Sequence, residues 1–438
     1  MIWNREMECL GRADMARLQL QRLQATVRRA YERVPLFRQR CQERGITPDA
    51  IRSLHDLVRL PFMSKADLRE QYPWGLFAEP LSNVVRIHGS SGTRGKPTIV
   101  GYTRNDIAVW AEVCARSFCL AGGEPGHRFQ NAYGYGLFTG GLGLHYGVEL
   151  AGAAVIPAST GNTARQVILL QDLQPHGISC TPSYLLNIAD FAAAQGIDTR
   201  SLSLRYAILG AEPWSEGMRR NLEDRMGLDA VDIYGLSEVI GPGVACECRE
   251  RKDGLHIQED HFLPEVVDPA TGEPLPDGEY GELVFTSLTK EAFPVIRYRT
   301  GDIAALYREP CGCGRTTVRM SRVKGRVDDM LIIRGVNLFP SEVEYHLLQF
   351  PELAPHYQLL VYREGALDEV LVQVEVTAET VGRWGGFSPT REEARNLAAR
   401  IETHLRSYLG LSLQLELMPP SSLPRSEGKA IRVVDQRR

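Results

Sequence analysis

Three glycines, three hydroxyl side chains and two cations fall within the eight residues from Gly89 to Lys96. Glycines allow consecutive backbone N–H groups to turn toward one anion. Hydroxyl groups add further donors, and the two cations, Arg94 and Lys96, add charge for phosphate oxygens. The stretch therefore predicts a phosphate-binding loop. A plain Gly/Ser-rich turn is the alternative on these residues alone.

The same stretch differs from the nucleotide-binding P-loop, which requires GxxxxGK followed by Ser or Thr. Gly89 lies one residue too far from Gly95, and Pro97 takes the position of the magnesium-binding hydroxyl. If the stretch binds a nucleotide, the other contacts must come from elsewhere in the chain.

Aromatic rings alternate with glycines between Tyr133 and Gly141. One interpretation is a strand and turn with packed tyrosines. The other is a flat pocket wall, where glycine allows close approach and a ring stacks on a planar ligand. The residues themselves leave both open.

Four cysteines form two close pairs, Cys246 with Cys248 and Cys311 with Cys313, and two histidines lie between the pairs in sequence. Zinc prefers such sulfur and nitrogen ligands. The predicted ligands of a structural zinc are Cys248, His256, Cys311 and Cys313, with Cys246 as the spare. Unpaired thiols in a turn are the alternative.

The elements around the Gly-rich stretch predict an α/β fold. A short strand at 84–87 precedes it, and a capping box from Thr103 to Asp106 begins a helix over 105–121. Strands and helices then alternate from 145 to 235, beginning with a strand over 148–157, which predicts a largely parallel sheet. Ligand loops lie at the carboxyl ends of such strands, here 210–213 and 234–238.

The pattern of hydrophobic residues changes in the second half of the chain. Alternating runs over 255–335 predict a β subdomain, and the last hundred residues predict a small α+β domain. In that domain, Ser341 and Glu344 suggest a capping box, and a helix over 392–409 should end at Gly410. The predicted division is a large N-terminal domain, 1–327, and a small mobile C-terminal domain, 328–438.

Composition excludes several classes of protein. The chain has 438 residues, 43% hydrophobic and 24% charged, with a net charge of −4, so neither nucleic acid nor an anionic membrane should attract it. The first residues are polar and unlike a signal peptide, and no segment predicts a membrane span. Nine cysteines in such a chain favour a reducing compartment, so a cytoplasmic protein is expected.

Six segments in this order resemble the adenylate-forming (acyl-CoA synthetase) superfamily, and most of all its phenylacetate–CoA ligase family. The resemblance covers nearly the whole chain, from about Tyr31 onward. The segments are SSGTRGKP at 90–97, AYGYG at 132–136, YGLSE at 234–238, YRTGD at 298–302, GRVDDMLIIRG at 325–335 and LPRSEGK at 423–429.

The resemblance implies a two-step reaction with ATP, Mg²⁺ and coenzyme A. A carboxylic acid attacks the α-phosphate of ATP, and a thiol then attacks the acyl-adenylate. The resemblance places Lys429, Glu238 and Thr93 in catalysis, Glu238 on magnesium and Asp328 at the hinge of the small domain. Arg94 departs from the family pattern, which usually has Thr there, and His88 is given no role.

The resemblance also implies binding residues. Those for the nucleotide are Ser90, Ser91, Gly92, Thr93, Arg94, Gly95, Lys96, Gly210, Ala211, Glu212, Pro213, Asp232, Ile233, Tyr234, Gly235, Ser237, Asp302 and Arg326. Those for the acid are Tyr133, Tyr135, Phe138, Ala211, Ile240 and Pro242, and their aromatic rings favour an aryl or arylacetic acid.

Three functions are compatible with the sequence. The first is an aryl- or arylacetate–CoA ligase, acting on a small aromatic acid, and for it the family suggests a homodimer. The second loads the acid onto the phosphopantetheine of a carrier protein. The third is a nucleotide-binding regulator without catalysis, against which Lys429, Glu238 and Asp302 argue.

Overall fold

A computed structural model describes residues 1–89, 97–327, 331–333, 336–364, 367–426 and 429–437. The chain forms two compact units: residues 1–180, 201–211 and 227–322 make the first, and residues 181–200, 212–226 and 323–438 make the second. No described helix is both long and apolar enough to cross a membrane.

The first unit contains seven of the described helices and most of the described strands. Its helices are α1 (Arg5–Glu8), α2 (Arg12–Arg33), α3 (Pro35–Glu43), α4 (Lys65–Glu70), α5 (Arg104–Leu120), α6 (Gly140–Leu150) and α7 (Thr163–Asp172). Its strands are β1 (Arg86–Gly89), β2 (Ile99–Tyr102), β3 (Arg128–Asn131), β4 (Ala154–Ile156), β5 (Gly177–Cys180), β6 (Tyr206–Gly210), β7 (Asp229–Leu236), β8 (Gly241–Glu247), β9 (Leu255–Ile257), β10 (Phe262–Val267), β11 (Gly281–Ser287), β12 (Tyr298–Ala304), β13 (Leu306–Tyr307) and β14 (Arg319–Met320).

The main sheet of this unit has the order β13-β14-β9-β8-β7-β6-β5-β3-β4. Pairing is parallel from β7 to β4 and antiparallel from β7 through β8 and β9 to β14 and β13. A second, antiparallel sheet contains β10, β11 and β12, and β1 pairs with β2 on either side of the Gly-rich stretch. The predicted α/β fold with a parallel sheet and a β-rich part is confirmed.

The second unit contains α8 (Pro182–Ala194), α9 (Glu216–Met226), α10 (Pro340–Leu347), α11 (Ala378–Trp384) and α12 (Glu392–Leu409). Its strands are β15 (Gly325–Arg326), β16 (Leu331–Ile333), β17 (Val336–Leu338), β18 (Leu353–Glu364), β19 (Leu367–Val376), β20 (Gln414–Met418) and β21 (Val433–Asp435). The order β20-β19-β18-β21 forms its sheet. Buried residues of α10, α12 and this sheet, such as Val343, Ile401 and Val372, make its core.

Two local predictions are confirmed by the chemistry of helix ends. Thr103 and Asp106 cap α5 reciprocally, as the TxxD pattern predicts. The helix predicted over 392–409 has those bounds, and Gly410 ends it in the left-handed conformation with φ of 66°.

Two other predictions are wrong. The capping box at Ser341 is absent because α10 begins with Pro340 and its N-cap is Phe339, while Ser341 donates to the carbonyl of Lys324. The strand predicted from Val148 is confined to β4, because α6 continues to Leu150.

The helix α6 contains four glycines, which lower helix propensity. Packing against α5 explains them. A Cβ at Gly143 would lie 2.5 Å from the Trp110 ring, and one at Gly147 would lie 2.4 Å from Cys114 Cβ. The two helices approach so closely that larger residues do not fit.

Candidate functional site

The predicted phosphate residues Ser90, Ser91, Gly92, Thr93, Arg94, Gly95 and Lys96, and the predicted hinge Asp328, lie outside the described residues. The edge of the Gly-rich stretch is anchored, since Gly89 N–H donates to the Leu137 carbonyl at 2.9 Å. The adjacent His88 ring is buried edge-on against Tyr102 and Trp110, and its Nδ1 lies 2.9 Å from the same carbonyl. Burial lowers the pKa of His88, so this is a neutral core histidine.

The turn after β7 carries Glu238, the predicted magnesium ligand. The backbone turns back closely into β8. A Cβ at Gly235 would lie 1.9 Å from the Gly241 carbonyl oxygen, so no larger residue fits there. The Ser237 hydroxyl lies 2.9 Å from the Thr139 hydroxyl at the start of α6. This bond joins the aromatic–glycine segment to the YGLSE segment. The Glu238 side chain itself is largely buried, with a relative exposure of 7%.

Two residues that the sequence did not single out support this turn. The Tyr102 hydroxyl donates to the Ile240 carbonyl at 2.9 Å, and Lys290 Nζ donates to the Glu238 carbonyl at 3.1 Å. Burial lowers the pKa of Lys290 to about 8, although Asp106 and Glu238 attract its charge. The signal available for Lys290 was its place just after the strand β11, whose residues are all buried.

Asp302, the predicted ribose ligand, accepts a hydrogen bond of 2.6 Å from the Tyr234 hydroxyl. The turn before it requires Gly301, whose φ is +78°. The YGLSE and YRTGD segments therefore meet in the first unit.

The predicted adenine loop, 210–213, begins at the last residue of β6. A Cβ at Gly210 would lie 2.2 Å from the Ile233 carbonyl oxygen, so glycine is required there. Ala211 has φ of +69°, a strained conformation for alanine of the kind that clusters at functional sites. Asp232 lies on β7, and its carboxylate lies 3.8 Å from Arg322 Nε.

The predicted acid-binding rings lie between β3 and α6. Asn131 Nδ2 donates to the Tyr135 hydroxyl at 2.8 Å, and that hydroxyl lies 3.1 Å from His145 Nδ1. Burial raises the pKa of Tyr135 to about 12, so its hydroxyl stays protonated. Tyr133 is buried, and Phe138 is half-buried.

The other two predicted acid-binding residues differ in exposure. Ile240 is fully buried, and Pro242 is half-buried, with its carbonyl accepting from Trp110 Nε1 at 3.0 Å. These contacts define rigid walls on one side of the Ser237–Ile240 turn.

In the second unit, Glu212 lies beside the C-terminal segment that carries Lys429. Its carboxylate accepts from Ser183 N at 2.7 Å and from Ala430 N at 2.8 Å. Burial raises the pKa of Glu212, although Arg432 opposes the shift. Lys429 is exposed, next in sequence to the residue that Glu212 holds. Of the other predicted nucleotide residues in this unit, Pro213 is exposed and Arg326 lies in β15.

The four predicted zinc ligands form a cluster in the first unit. Potential ligand atoms of Cys248, His256, Cys311 and Cys313 all lie within 4.8 Å of one another. Cys246 lies outside this cluster, and its sulfur donates to the Ser117 carbonyl at 3.8 Å.

The distances within the cluster fit a tetrahedral metal. Cys248 Sγ lies 3.7 Å from Cys311 Sγ, and Cys313 Sγ lies 3.5 Å from His256 Nε2. With Zn–S bonds of about 2.3 Å, two thiolates on one zinc lie about 3.8 Å apart, and a thiolate and an imidazole nitrogen about 3.6 Å apart. His256 Nδ1 lies 2.9 Å from the Thr317 hydroxyl, which would orient Nε2 toward the metal.

The loop that carries Cys311 and Cys313 also holds the N-terminal segment. Arg315 Nε donates to the Glu8 carboxylate at 2.5 Å, and both side chains are almost fully buried. Thr316 contributes a second anchor, as its hydroxyl donates to the Leu10 carbonyl at 2.7 Å. The candidate metal cluster is therefore continuous with the packing of α1.

Known proteins are similar to this chain over most or all of its length. The family model described as AMP-binding enzyme matches residues 70–289, and the one described as AMP-binding enzyme C-terminal domain matches residues 335–437. The phenylacetate-coenzyme A ligase of Thermus thermophilus is 52% identical over 100% of both chains. That of Pseudomonas putida is 52% identical over 96% of this chain and 93% of its own.

A solved structure of 2-hydroxyisobutyryl-CoA ligase, in complex with 2-HIB-AMP in the postadenylation state, is also similar. It is 30% identical, with a TM-score of 0.92 over 99% of this chain and 92% of that one.

Proposed function

This chain belongs to the phenylacetate–coenzyme A ligase family of AMP-binding enzymes, and we propose phenylacetate as its acid substrate. As an AMP-forming acid–thiol ligase, it activates an aromatic carboxylic acid with ATP, releasing pyrophosphate. The thiol of coenzyme A then displaces AMP from the acyl-adenylate to give the thioester.

One observation carries the assignment of the site. Two hydrogen bonds, Thr139 to Ser237 and Tyr234 to Asp302, join three separated segments of the first unit. These bonds connect residues that are about 65 to 100 positions apart in the sequence. They support a single site that contains the aromatic–glycine segment, the buried Glu238 and Asp302.

Each proposed role follows from the chemistry of its residue. Glu238 would hold Mg²⁺, which prefers carboxylate oxygens and bridges phosphates. Asp302 would accept hydrogen bonds from the ribose hydroxyls. Lys429, a compact charge on a long stem, would stabilise the charge developing on the α-phosphate.

The phosphate, adenine and hinge assignments are likewise proposals. Residues 90–96, including Thr93, would hold the phosphates, and Gly210–Pro213 with Asp232–Tyr234 would line the adenine. Arg326 would lie near the ribose or phosphate. Asp328 would be the hinge between domains 1–327 and 328–438.

The proposed acid pocket is aromatic. Tyr133, Tyr135 and Phe138 provide its rings, and Ala211, Ile240 and Pro242 complete it. The contacts of Tyr135 with Asn131 and His145 fix the ring, so it would offer a rigid face to a planar acid. A preference for phenylacetate over aliphatic acids is expected.

An ATP–pyrophosphate exchange assay tests the proposal. Phenylacetate, benzoate, anthranilate, indoleacetate and aliphatic acids are compared, with and without coenzyme A. Exchange with phenylacetate and formation of its CoA thioester are expected. Exchange without CoA-thioester formation would favour a carrier-protein acceptor, and absence of exchange with every acid would favour a non-catalytic regulator.

A structural zinc is proposed at Cys248, His256, Cys311 and Cys313. When bound, the ion would cross-link β8, β9 and the 311–313 loop without taking part in the reaction. Metal analysis of the purified protein should find one equivalent of zinc, and Cys248→Ser should lose it while Cys246→Ser keeps it. Well under one equivalent in the unaltered protein would contradict the site.

We also propose a cytoplasmic homodimer. None of the nine cysteines forms a disulfide, which suits a reducing compartment. The dimer rests on the family resemblance, and light scattering of the purified protein tests it.

A further inference from the structure

Lys290 is a buried cation that follows β11. Its relative exposure is 1%, and both hydrogen bonds of Nζ within the described part of the chain end on backbone carbonyls. A charge taken out of water is unfavourable unless other groups replace the water. The groups that contact this ammonium therefore indicate which part of the structure it stabilises.

Those groups belong to the turn that carries Glu238. The Glu238 carbonyl lies 3.1 Å from Nζ, and the Ser237 carbonyl lies 3.5 Å away. The rings of Tyr102 and Phe293 cover the cation, with their centroids 4.8 and 5.3 Å from Nζ. The two carbonyls of this turn are the polar groups that replace water.

The backbone next to Lys290 is itself fixed. The Asp106 carboxylate, fully buried in the first turn of α5, accepts from Glu291 N at 2.6 Å and from Ala292 N at 3.0 Å. The Thr103 hydroxyl donates to the Glu291 carboxylate at 2.9 Å. Lys290 thus extends from a backbone segment anchored on the first turn of α5 to the turn that carries Glu238.

In the Ser237–Ile240 turn, Val239 N and Ile240 N donate to the Leu236 carbonyl, while side chains donate to the carbonyls of the turn itself. The Tyr102 hydroxyl lies 2.9 Å from the Ile240 carbonyl and 3.4 Å from that of Ser237, and Lys290 donates to the Ser237 and Glu238 carbonyls. Without the ammonium, the Glu238 carbonyl would have to turn toward another donor or water. The Glu238 side chain is attached to the same backbone, so its carboxylate would move together with that carbonyl.

We propose that Lys290 is a positioning residue for adenylation, which fixes the Ser237–Glu238 backbone so that the Glu238 carboxylate meets the metal–nucleotide. This inference rests on the proposed function, in which Glu238 holds Mg²⁺. Lys290 does not touch the substrates, and it acts through the geometry of this turn.

The test measures ATP–pyrophosphate exchange with phenylacetate over a range of Mg²⁺ concentrations. Lys290→Met removes the charge and the donors while keeping a similar length. We expect kcat to fall about 10–100-fold, with a higher Mg²⁺ requirement, because small misplacements of a catalytic group have such effects. Lys290→Gln, which keeps a donor, should recover part of the loss, and it also serves if the methionine variant does not fold.

A double-mutant cycle shows whether Lys290 acts through Glu238. In a Glu238→Gln background, Lys290→Met should reduce the residual exchange by no more than about twofold. Arg297→Met is the matched control, since it removes another buried cation, paired with Glu265 at 2.9 Å outside the turn. It should lower the melting temperature while leaving the Mg²⁺ requirement unchanged.

Two results would overturn the role of Lys290. One is exchange within about twofold of the unaltered enzyme at every Mg²⁺ concentration. The other is the full loss appearing again in the Glu238→Gln background. Absence of exchange in the unaltered protein with every acid would instead count against the proposed function itself.

Discussion

The Tyr234 hydroxyl donates a hydrogen bond of 2.6 Å to Oδ2 of Asp302, joining the end of β7 to β12. The phenol holds one carboxylate oxygen and thereby limits the rotation of the Asp302 side chain. A vicinal diol requires such a fixed acceptor, because both of its hydroxyls must be met at once. Tyr234 is therefore expected to act on nucleotide binding through Asp302.

Replacing Tyr234 by Phe should raise the KM for ATP about 10-fold, because a hydrogen bond to a charged group contributes about 1.5–3 kcal/mol. The kcat for pyrophosphate exchange should change much less. Tyr362→Phe is the control, since its hydroxyl bonds Gln414 at the surface of the second unit, at 3.1 Å. An unchanged KM for ATP in Tyr234→Phe would show that Asp302 needs no help in binding the nucleotide.

Lys429→Ala should reduce pyrophosphate exchange by at least about 100-fold, because a cation at the α-phosphate stabilises the first transition state. Thioester formation from supplied phenylacetyl-adenylate and coenzyme A should remain largely intact. Lys65→Ala, at the start of α4 in the first unit, is the matched lysine control. Normal exchange in the Lys429 variant would refute the catalytic role.

Gly235→Ala should abolish most of the adenylation activity, because its Cβ would lie 1.9 Å from the Gly241 carbonyl oxygen and would displace the Glu238 turn. The melting temperature should also fall. Gly382→Ala provides the contrast, since that glycine lies within α11 with open space around its Cβ position. There the change should stabilise the protein by about 0.5–1 kcal/mol. Thermal melts and exchange assays of both variants check the pair.

Acid stability should depend on Asp260, which pairs with Arg116 at 2.8 Å in the core of the first unit. Burial alone would raise the pKa of Asp260, but the charges of His261 and Arg116 outweigh it and lower the pKa to about 2. A lowered folded-state pKa means stability that is present above about pH 4 and is lost as the pH falls toward 2.

Asp260→Asn should therefore lower the free energy of unfolding at pH 7 by about 1.5–3 kcal/mol, since it removes the charge-assisted bonds of Arg116 to Asp260 and leaves Glu112 as the carboxylate that Arg116 contacts. Its melting temperature should fall less steeply than that of the unaltered protein between about pH 4 and 2. Asp277→Asn, at an exposed ion pair with Arg308, is the control. Parallel pH profiles for all three proteins would contradict the assignment.

The sequence predicted those parts of the fold that local chemistry decides. Thr103 and Asp106 cap α5 because both partners lie within one turn, and Gly410 ends α12 because glycine adopts a positive φ freely. Tertiary contacts decided the rest. Ser341 and Glu344 have the spacing of a capping box, yet Glu344 accepts from Ser215 N at 3.0 Å instead.

The helix α6 escaped prediction because its glycines serve packing and not flexibility. The closeness of Gly143 to Trp110 and of Gly147 to Cys114 is a property of two helices together. Within the site, motif residues such as Glu238 and Asp302 were identified by their resemblance to a family. Lys290 and Tyr102 were not identified, because they donate to backbone carbonyls. The pattern of side chains in a sequence does not indicate which carbonyls they bond.

The buried pair of Glu8 and Arg315 spans 307 residues of sequence. At about 5–20 residues per second, a ribosome adds Arg315 roughly 15–60 s after Glu8. During synthesis, α1 is therefore made long before Arg315, the ion-pair partner of its Glu8. The loop carrying Cys311 and Cys313 is among the last parts of the first unit to leave the ribosome. The first unit can close only late in translation, which makes its nascent chain a natural client for chaperones until that loop appears.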